Sequence, residues 1–246
     1  MLLEIIAFNI QSCLSIESSG AHRIELCDNP GEGGTTPSKG FIEAARKNVS
    51  IDLFPIIRPR GGDFLYSEVE FAIMKSDVQL CKELGCDGVV IGILNKDGSI
   101  DMKRCSELVK IAYPMSVTFH RAFDRVNDHS QALENVIELG CERILTSGFY
   151  PTAMEGASNI TQLIKQADER IIIMPGSGVR SSNIAELAKL TGAVEFHSSA
   201  RSNIESKMEF KSKTMNEDLK SVNVDEKEVR KILEIMNDKL QVISDK

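Results

Sequence analysis

Residues 115–148 read MSVTFHRAFDRVNDHSQALENVIELGCERILTSG, and this stretch sets the pattern for the whole chain. A β-branched and aromatic run, Met115 to His120, gives way to a polar loop. Residues 130–139 then carry apolar side chains at helical spacing, and Gly140 supplies the left-handed stop that helix C-termini favour. A second short run over 143–146 starts a new strand. The unit is a strand, a crossover helix and another strand.

That unit recurs in both directions. Strands are predicted over 2–8, 22–27, 51–58, 88–93, 115–120, 143–146, 171–174 and 193–197, and helices over 10–19, 38–48, 67–84, 102–112, 130–139, 157–167 and 181–190. Residues 202–224 break the rhythm: polar, mixed in charge and weakly periodic, they are expected to form a mobile loop unless a ligand orders them. Asp225 then opens a capping box, D-E-K-E, and Val229, Ile232, Leu233, Met236 and Leu240 follow at helical spacing, which predicts an eighth helix over 225–242. Eight such units predict an α/β fold, a single (β/α)8 barrel of the TIM type across 1–246. Right-handed crossovers lay each strand beside the last, and closure leaves no open edge. An open doubly wound sheet is the competitor, but no G-x-G-x-x-G follows the first strand.

The chain has 246 residues, 42% of them hydrophobic and 26% charged, which suffices for one such barrel. Its net charge is -7. Residues 201–246 hold ten charges of each sign, so the excess, 19 basic against 26 acidic, lies in 1–200. No basic stripe crosses that body, which argues against nucleic acid or an anionic membrane surface as partner. The start, MLLEIIAF, lacks a basic n-region, and no apolar run reaches about 18 residues, so a cytoplasmic protein is expected. Six cysteines without a C-x-x-C pair read as thiols rather than as a disulfide framework.

Strand parity points to a polar interior. Ile24 and Leu26 suit the helix-covered side of the second strand, which turns Glu25 and Cys27 inward. Leu3, Ile5 and Ala7 likewise turn Glu4 in, Val194 and Phe196 turn Glu195 and His197 in, and Arg58 and His120 end their strands facing inward. Inert barrel cores are filled with Val, Ile and Leu, so acids, an Arg and two His imply mutual pairing, a ligand or a metal. The structural alternative is a salt-bridge network that only fixes barrel geometry.

The loops after the strands add candidates. Arg58, Arg60, Asp63 and Tyr66 in R-P-R-G-G-D-F-L-Y offer forked donors for a carboxylate or phosphate and groups to orient them. In T-F-H-R-A-F-D, His120 is a candidate acid, base or metal ligand with Asp124 as its orienting partner, and Arg121 a further anion contact. Ser147 and Gly148 end the sixth strand; Gly176, Ser177 and Gly178 follow the seventh and are expected to hold an oxyanion; Ser198 follows the eighth. Glu4, Glu25, His120, Asp124 and Glu195 form the candidate catalytic set.

Together E-L-C at 25–27, E-G-G-T-T-P-S, R-P-R-G-G-D-F, T-F-H-R-A-F-D, L-T-S-G, G-S-G-V and E-F-H-S-S-A resemble the CutC family over about 1–201. The resemblance implies a TIM-type barrel, a cytoplasmic homo-oligomer and a role in copper homeostasis. Cu(I) prefers thiolate ligands, and Cys27 with His120 and His197 is the set expected to meet it. The Arg, Glu and His constellation also admits an enzyme acting by acid–base chemistry on a small phosphorylated or carboxylated metabolite. A scaffold for protein contacts is the third possibility.

Overall fold

A computed structural model describes residues 1–244, with side chains through Asp238; residues 245–246, within the expected single unit, lie outside the described residues. The chain runs β1 (Leu2–Ala7), α1 (Ile10–Ser18), β2 (Arg23–Leu26), α2 (Lys39–Asn48), β3 (Asp52–Pro55), α3 (Glu68–Glu83), β4 (Gly88–Ile91), α4 (Met102–Ala112), β5 (Ser116–Phe119), α5 (His129–Leu139), β6 (Arg143–Thr146), α6 (Ala157–Ala167), β7 (Ile172–Pro175), α7 (Ile184–Thr191) and β8 (Glu195–Ser198). After these come β9 (Arg201–Ile204), β10 (Ser221–Val224) and α8 (Glu226–Ser244). The first eight strands and eight helices make the (β/α)8 barrel.

All the barrel pairings are parallel, in two four-stranded sets ordered β3-β2-β1-β8 and β4-β5-β6-β7. One seam is closed by the bridge Ile56–Val90, where Ile57 N–H donates to the Val90 carbonyl at 2.8 Å. At the other seam β7 and β8 lie side by side. Helix starts are fixed by side-chain caps: Ser38, Asp101 and Asp128 each accept from a first-turn N–H, and Ser67 with Glu70 makes a complete capping box.

The polar stretch at 202–224 is not all loop. Its two ends pair as the antiparallel ribbon β9–β10, and residues 205–220 between them carry no regular element. Only half of the capping box expected at Asp225 forms. Asp225 Oδ1 accepts from Glu228 N–H at 3.4 Å, and from Lys227 N–H at 2.9 Å, but the Glu228 carboxylate takes the N–H and hydroxyl of Ser181 instead. That exchange anchors α8, whose buried Val229, Ile232, Leu233 and Met236 fill the slot between α7 and α1. No helix among the described residues is long and apolar enough to cross a membrane.

The loop after β6 depends on a close approach. Gly148 has φ +68°, and a Cβ there would overlap the Gly156 carbonyl oxygen, which is backbone and cannot move aside. Gly148→Ala is expected to cost about 2–4 kcal/mol, read as a lower midpoint in urea. A midpoint unchanged from wild type would refute that contact.

Candidate functional site

Alternation along the strands separates two environments. Leu3, Ile5, Ile24 and Leu26 are fully buried against the helices. Glu4, Ile6, Arg23, Glu25 and Cys27 occupy the opposite face, inside the barrel.

At the N-terminal ends of β2, β6 and β8 the interior holds a charge-balanced layer. Arg23 Nε donates to Glu4 Oε2 at 2.5 Å and Arg23 Nη2 to Glu195 Oε2 at 2.6 Å. Arg143 Nε reaches the same Glu195 oxygen at 3.2 Å, and its Nη1 donates to Thr118 Oγ1 at 3.2 Å. The Phe54 ring lies 5.0 and 5.2 Å from the two guanidinium centres. Two carboxylates therefore meet two guanidiniums, which offsets the desolvation each suffers. Burial opposes ionisation of Glu4, but the charges of Arg23 and His197 outweigh it and lower its pKa to about 2.

The next layer up carries an acid–base pair. His197 Nδ1 lies 2.8 Å from Glu4 Oε1, and its Nε2 lies 3.8 Å from Glu25 Oε2. Burial works against an imidazolium at His197, yet the hydrogen bond to Glu4 and the charges of Glu25 and Glu4 raise its pKa. Burial raises Glu25 to about 7, with His197 pulling the other way. Glu4, Glu25 and His197 offer one ligand atom each within 4.8 Å of one another. Cys27 packs among Ile6, Phe54, Ile56 and Val90, and burial, with Glu25 and Glu4, pushes its thiol well up.

Above that pair a cavity of about 320 Å³ opens at the C-terminal ends of the strands. Glu25 and His197 reach it from below; the ends of β3 and β5 contribute Arg58, Phe64 and His120; the ends of β7 and β8 contribute Ser177, Gly178, Ser199 and Arg201. His120 Nδ1 accepts the Ala122 N–H at 3.1 Å, so the proton of the neutral ring sits on Nε2, which has no partner among the described residues. Burial and the Arg58 charge lower its pKa to about 3, which keeps the ring neutral near pH 7. In this tautomer His120 has no lone pair to give a metal, unlike the ligand expected from sequence.

The remaining candidates divide sharply. Arg58 is 6% exposed and donates to the carbonyls of Glu32, Gly34 and Gly62 at 2.7 to 2.8 Å, tying two loops together. Arg60 is held by Asp63 at 2.8 Å and Glu70 at 2.6 Å, over the Tyr66 ring and outside the cavity lining; the buried Tyr66 hydroxyl lies beside Arg58. Asp124 does not orient His120. It sits on a 3-10 turn, Arg121–Arg125, that sends its carboxylate back to the Thr146 hydroxyl, to Ser147 N–H and to Arg121 Nε. Ser147 donates to the Tyr150 carbonyl, and Ser198 donates to that of Val179 at 2.7 Å on the helix side. Ser147, Gly148 and Ser198 all lie outside the cavity lining, whereas Arg121, Ser177 and Gly178 lie within it. Gly176 sits where any Cβ would overlap Leu145. Glu4 and Glu195 are beneath the cavity rather than in its wall.

Arg23, Arg143, Phe64 and Arg201 were not anticipated from sequence. The parity that turns Glu25 inward does the same for Arg23, and Ile144 does so for Arg143, so those two were legible.

Residues 1–202 match the CutC family. The chain belongs to that family. A CutC family protein of Chromobacterium violaceum is 52% identical over 210 residues, 85% of each chain. The human protein named copper homeostasis protein cutC homolog is 47% identical over 214 residues, 87% of this chain and 78% of its own. The crystal structure of the CutC protein from Streptococcus agalactiae superposes with a TM-score of 0.77 at 34% identity, covering 80% of this chain and 98% of that one. Thiamine phosphate pyrophosphorylase from Pyrococcus furiosus, at 13% identity and a TM-score of 0.60, shares the barrel alone. The CutC match stops at the start of β9, so the ribbon and α8 lie beyond it.

Proposed function

We propose that this chain takes part in copper homeostasis, with copper as cargo held at Glu25 and His197 beneath the strand-end cavity. The process is supported by the name of the human relative. The place is supported by one observation: among the described residues, Glu4, Glu25 and His197 are the cluster of metal-ligating groups, and two of them line the cavity. Imidazole suits copper, and a carboxyl with a pKa near 7 gives up its proton readily to a cation. Cu(I) prefers thiolate, and Cys27, on the same inward face as Glu25, is the thiol that would supply it. A cytoplasmic location and self-association belong to the same reading through the family resemblance. The relatives' names give no reaction, so the acid–base enzyme gains no support from them.

Metal-free protein titrated with Cu(I) under reduction, and separately with Cu(II), against a chromophoric chelator is expected to retain about one equivalent. Glu25→Gln with His197→Gln is expected to weaken retention by about tenfold or more. Cys27→Ser separates the oxidation states: loss for Cu(I) alone identifies the thiolate. Wild-type protein that leaves both ions on the chelator overturns the reading.

A further inference from the structure

The cavity wall opposite Ser177 and Gly178 has donors and positive charge but nothing to receive them. His120 is 3% exposed, its Nδ1 is occupied by the Ala122 N–H, and its Nε2–H has no partner among the described residues. Arg58 is also buried; its Nη donors go to three carbonyls, the buried Tyr66 hydroxyl lies beside it outside the cavity, and no carboxylate among the described residues lies within 4.0 Å of it. Phe64 spaces the two, its ring 5.0 Å from the Arg58 guanidinium and 4.9 Å from the His120 ring. Arg201, across the mouth, lies 4.8 Å over the Phe8 ring and likewise forms no ion pair among the described residues. Of the acids nearby, Asp124 is committed to Arg121 and the β6 loop and Glu4 to Arg23 and His197, while Glu25, on the cavity floor, lies 3.8 Å from His197 and pairs with neither Arg58 nor Arg201 within 4.0 Å.

A buried cation without a counter-charge and a buried N–H without an acceptor are each costly to maintain. One group meets every demand here. We propose that His120 Nε2–H, Arg58 and Arg201 form a binding site for the oxyanion head of a small organic acid, a carboxylate or a phosphate ester. The unpartnered His120 N–H donates and cannot accept, and the guanidiniums beside it carry only positive charge, so a metal ion is refused at this wall while an oxyanion is received. The neutral state of His120 suits the role, because a fixed N–H donor needs no proton from solvent. The cavity, about 320 Å³, has room for the organic body, whose far end would meet Glu25 and His197. The inference does not rest on the copper reading.

The test uses the whole chain after chelator treatment, with its histidines labelled in nitrogen-15. The probes are inorganic phosphate and malonate, added separately at constant ionic strength with chloride as control. Either probe is expected to shift the His120 Nε2 resonance while the ring stays neutral, and to raise the melting temperature. Arg201→Gln, at an exposed position, is expected to weaken that binding by about tenfold. His120→Phe, which keeps a ring against Phe64, is expected to abolish the rise in melting temperature. A shift with phosphate alone assigns a phosphate head, and with malonate alone a carboxylate head. If neither probe moves His120 beyond the chloride control, or Arg201→Gln binds as well as wild type, the site is not there. Because no metal is present, loss of copper retention and loss of this response are separate results.

Discussion

An Arg23→Met variant is expected to lose about 3–5 kcal/mol of stability, seen as a marked fall in the urea midpoint with an unchanged slope. The guanidinium is 1% exposed and donates to both Glu4 and Glu195, so its removal strands two carboxylates inside the barrel with Arg143 as the remaining cation of the layer. The cost is that of leaving charges unpaired, not the net worth of the ion pairs. Adding Glu4→Gln to Arg23→Met, which leaves Glu195 to pair with Arg143, is therefore expected to recover a large part of the loss, although a carboxylate has been removed. Single-variant destabilisation below about 1 kcal/mol would show that the layer does not hold the barrel interior together.

Stability against pH gives the second large effect, through two groups of opposite sign. His120 has a folded pKa of about 3, below its usual value, so between roughly pH 6.5 and 3 the unfolded chain binds a proton that the folded one refuses, and stability falls with pH. Glu25 has a folded pKa of about 7, above its usual value, so between about pH 7 and 4.5 the folded chain holds the extra proton, and stability rises as pH falls. Over their shared window the two contributions cancel. Glu4, lowered to about 2, acts only below about pH 4.5, and His197, raised, acts only above about 6.5. In metal-free Glu25→Gln the cancellation is lifted: from pH 6.5 to 4.5 the variant is expected to lose roughly 2–3 kcal/mol relative to wild type. His120→Asn is expected to change in the opposite direction. His22 and His129, both lowered by burial, act alike in all three proteins and drop out of the differences. Parallel curves for wild type and Glu25→Gln would refute the raised carboxyl.

The barrel was legible because its signals are local and repeat. Each strand is a short β-branched run, each helix has one apolar face, and left-handed glycines at 20, 85, 140 and 192 mark the crossings. Parity also brought Glu4, Glu25, Glu195, His120 and His197 to one interior. It did not say which of them meet: Glu4 and Glu195 are absorbed by Arg23 and Arg143, and only Glu25, His120 and His197 reach the cavity. Loop side chains were the least legible. Asp124 follows His120 by four residues, yet the turn between them aims it at β6, and Arg60 differs from Arg58 only by finding Asp63 and Glu70 within reach. Those outcomes depend on backbone directions that no spacing rule encodes. The ribbon escaped for a related reason, since its polar strands pair with each other rather than with a core.

The division of the barrel into two four-stranded sets bears on how it is made. One set, β4 to β7, is contiguous in sequence, whereas β1 must wait for β8, nearly 200 residues later, to cover its second side. On a translating ribosome the middle of the chain can therefore complete its pairing while the opening strands still present a bare rim, and β8, once made, acts as the latch.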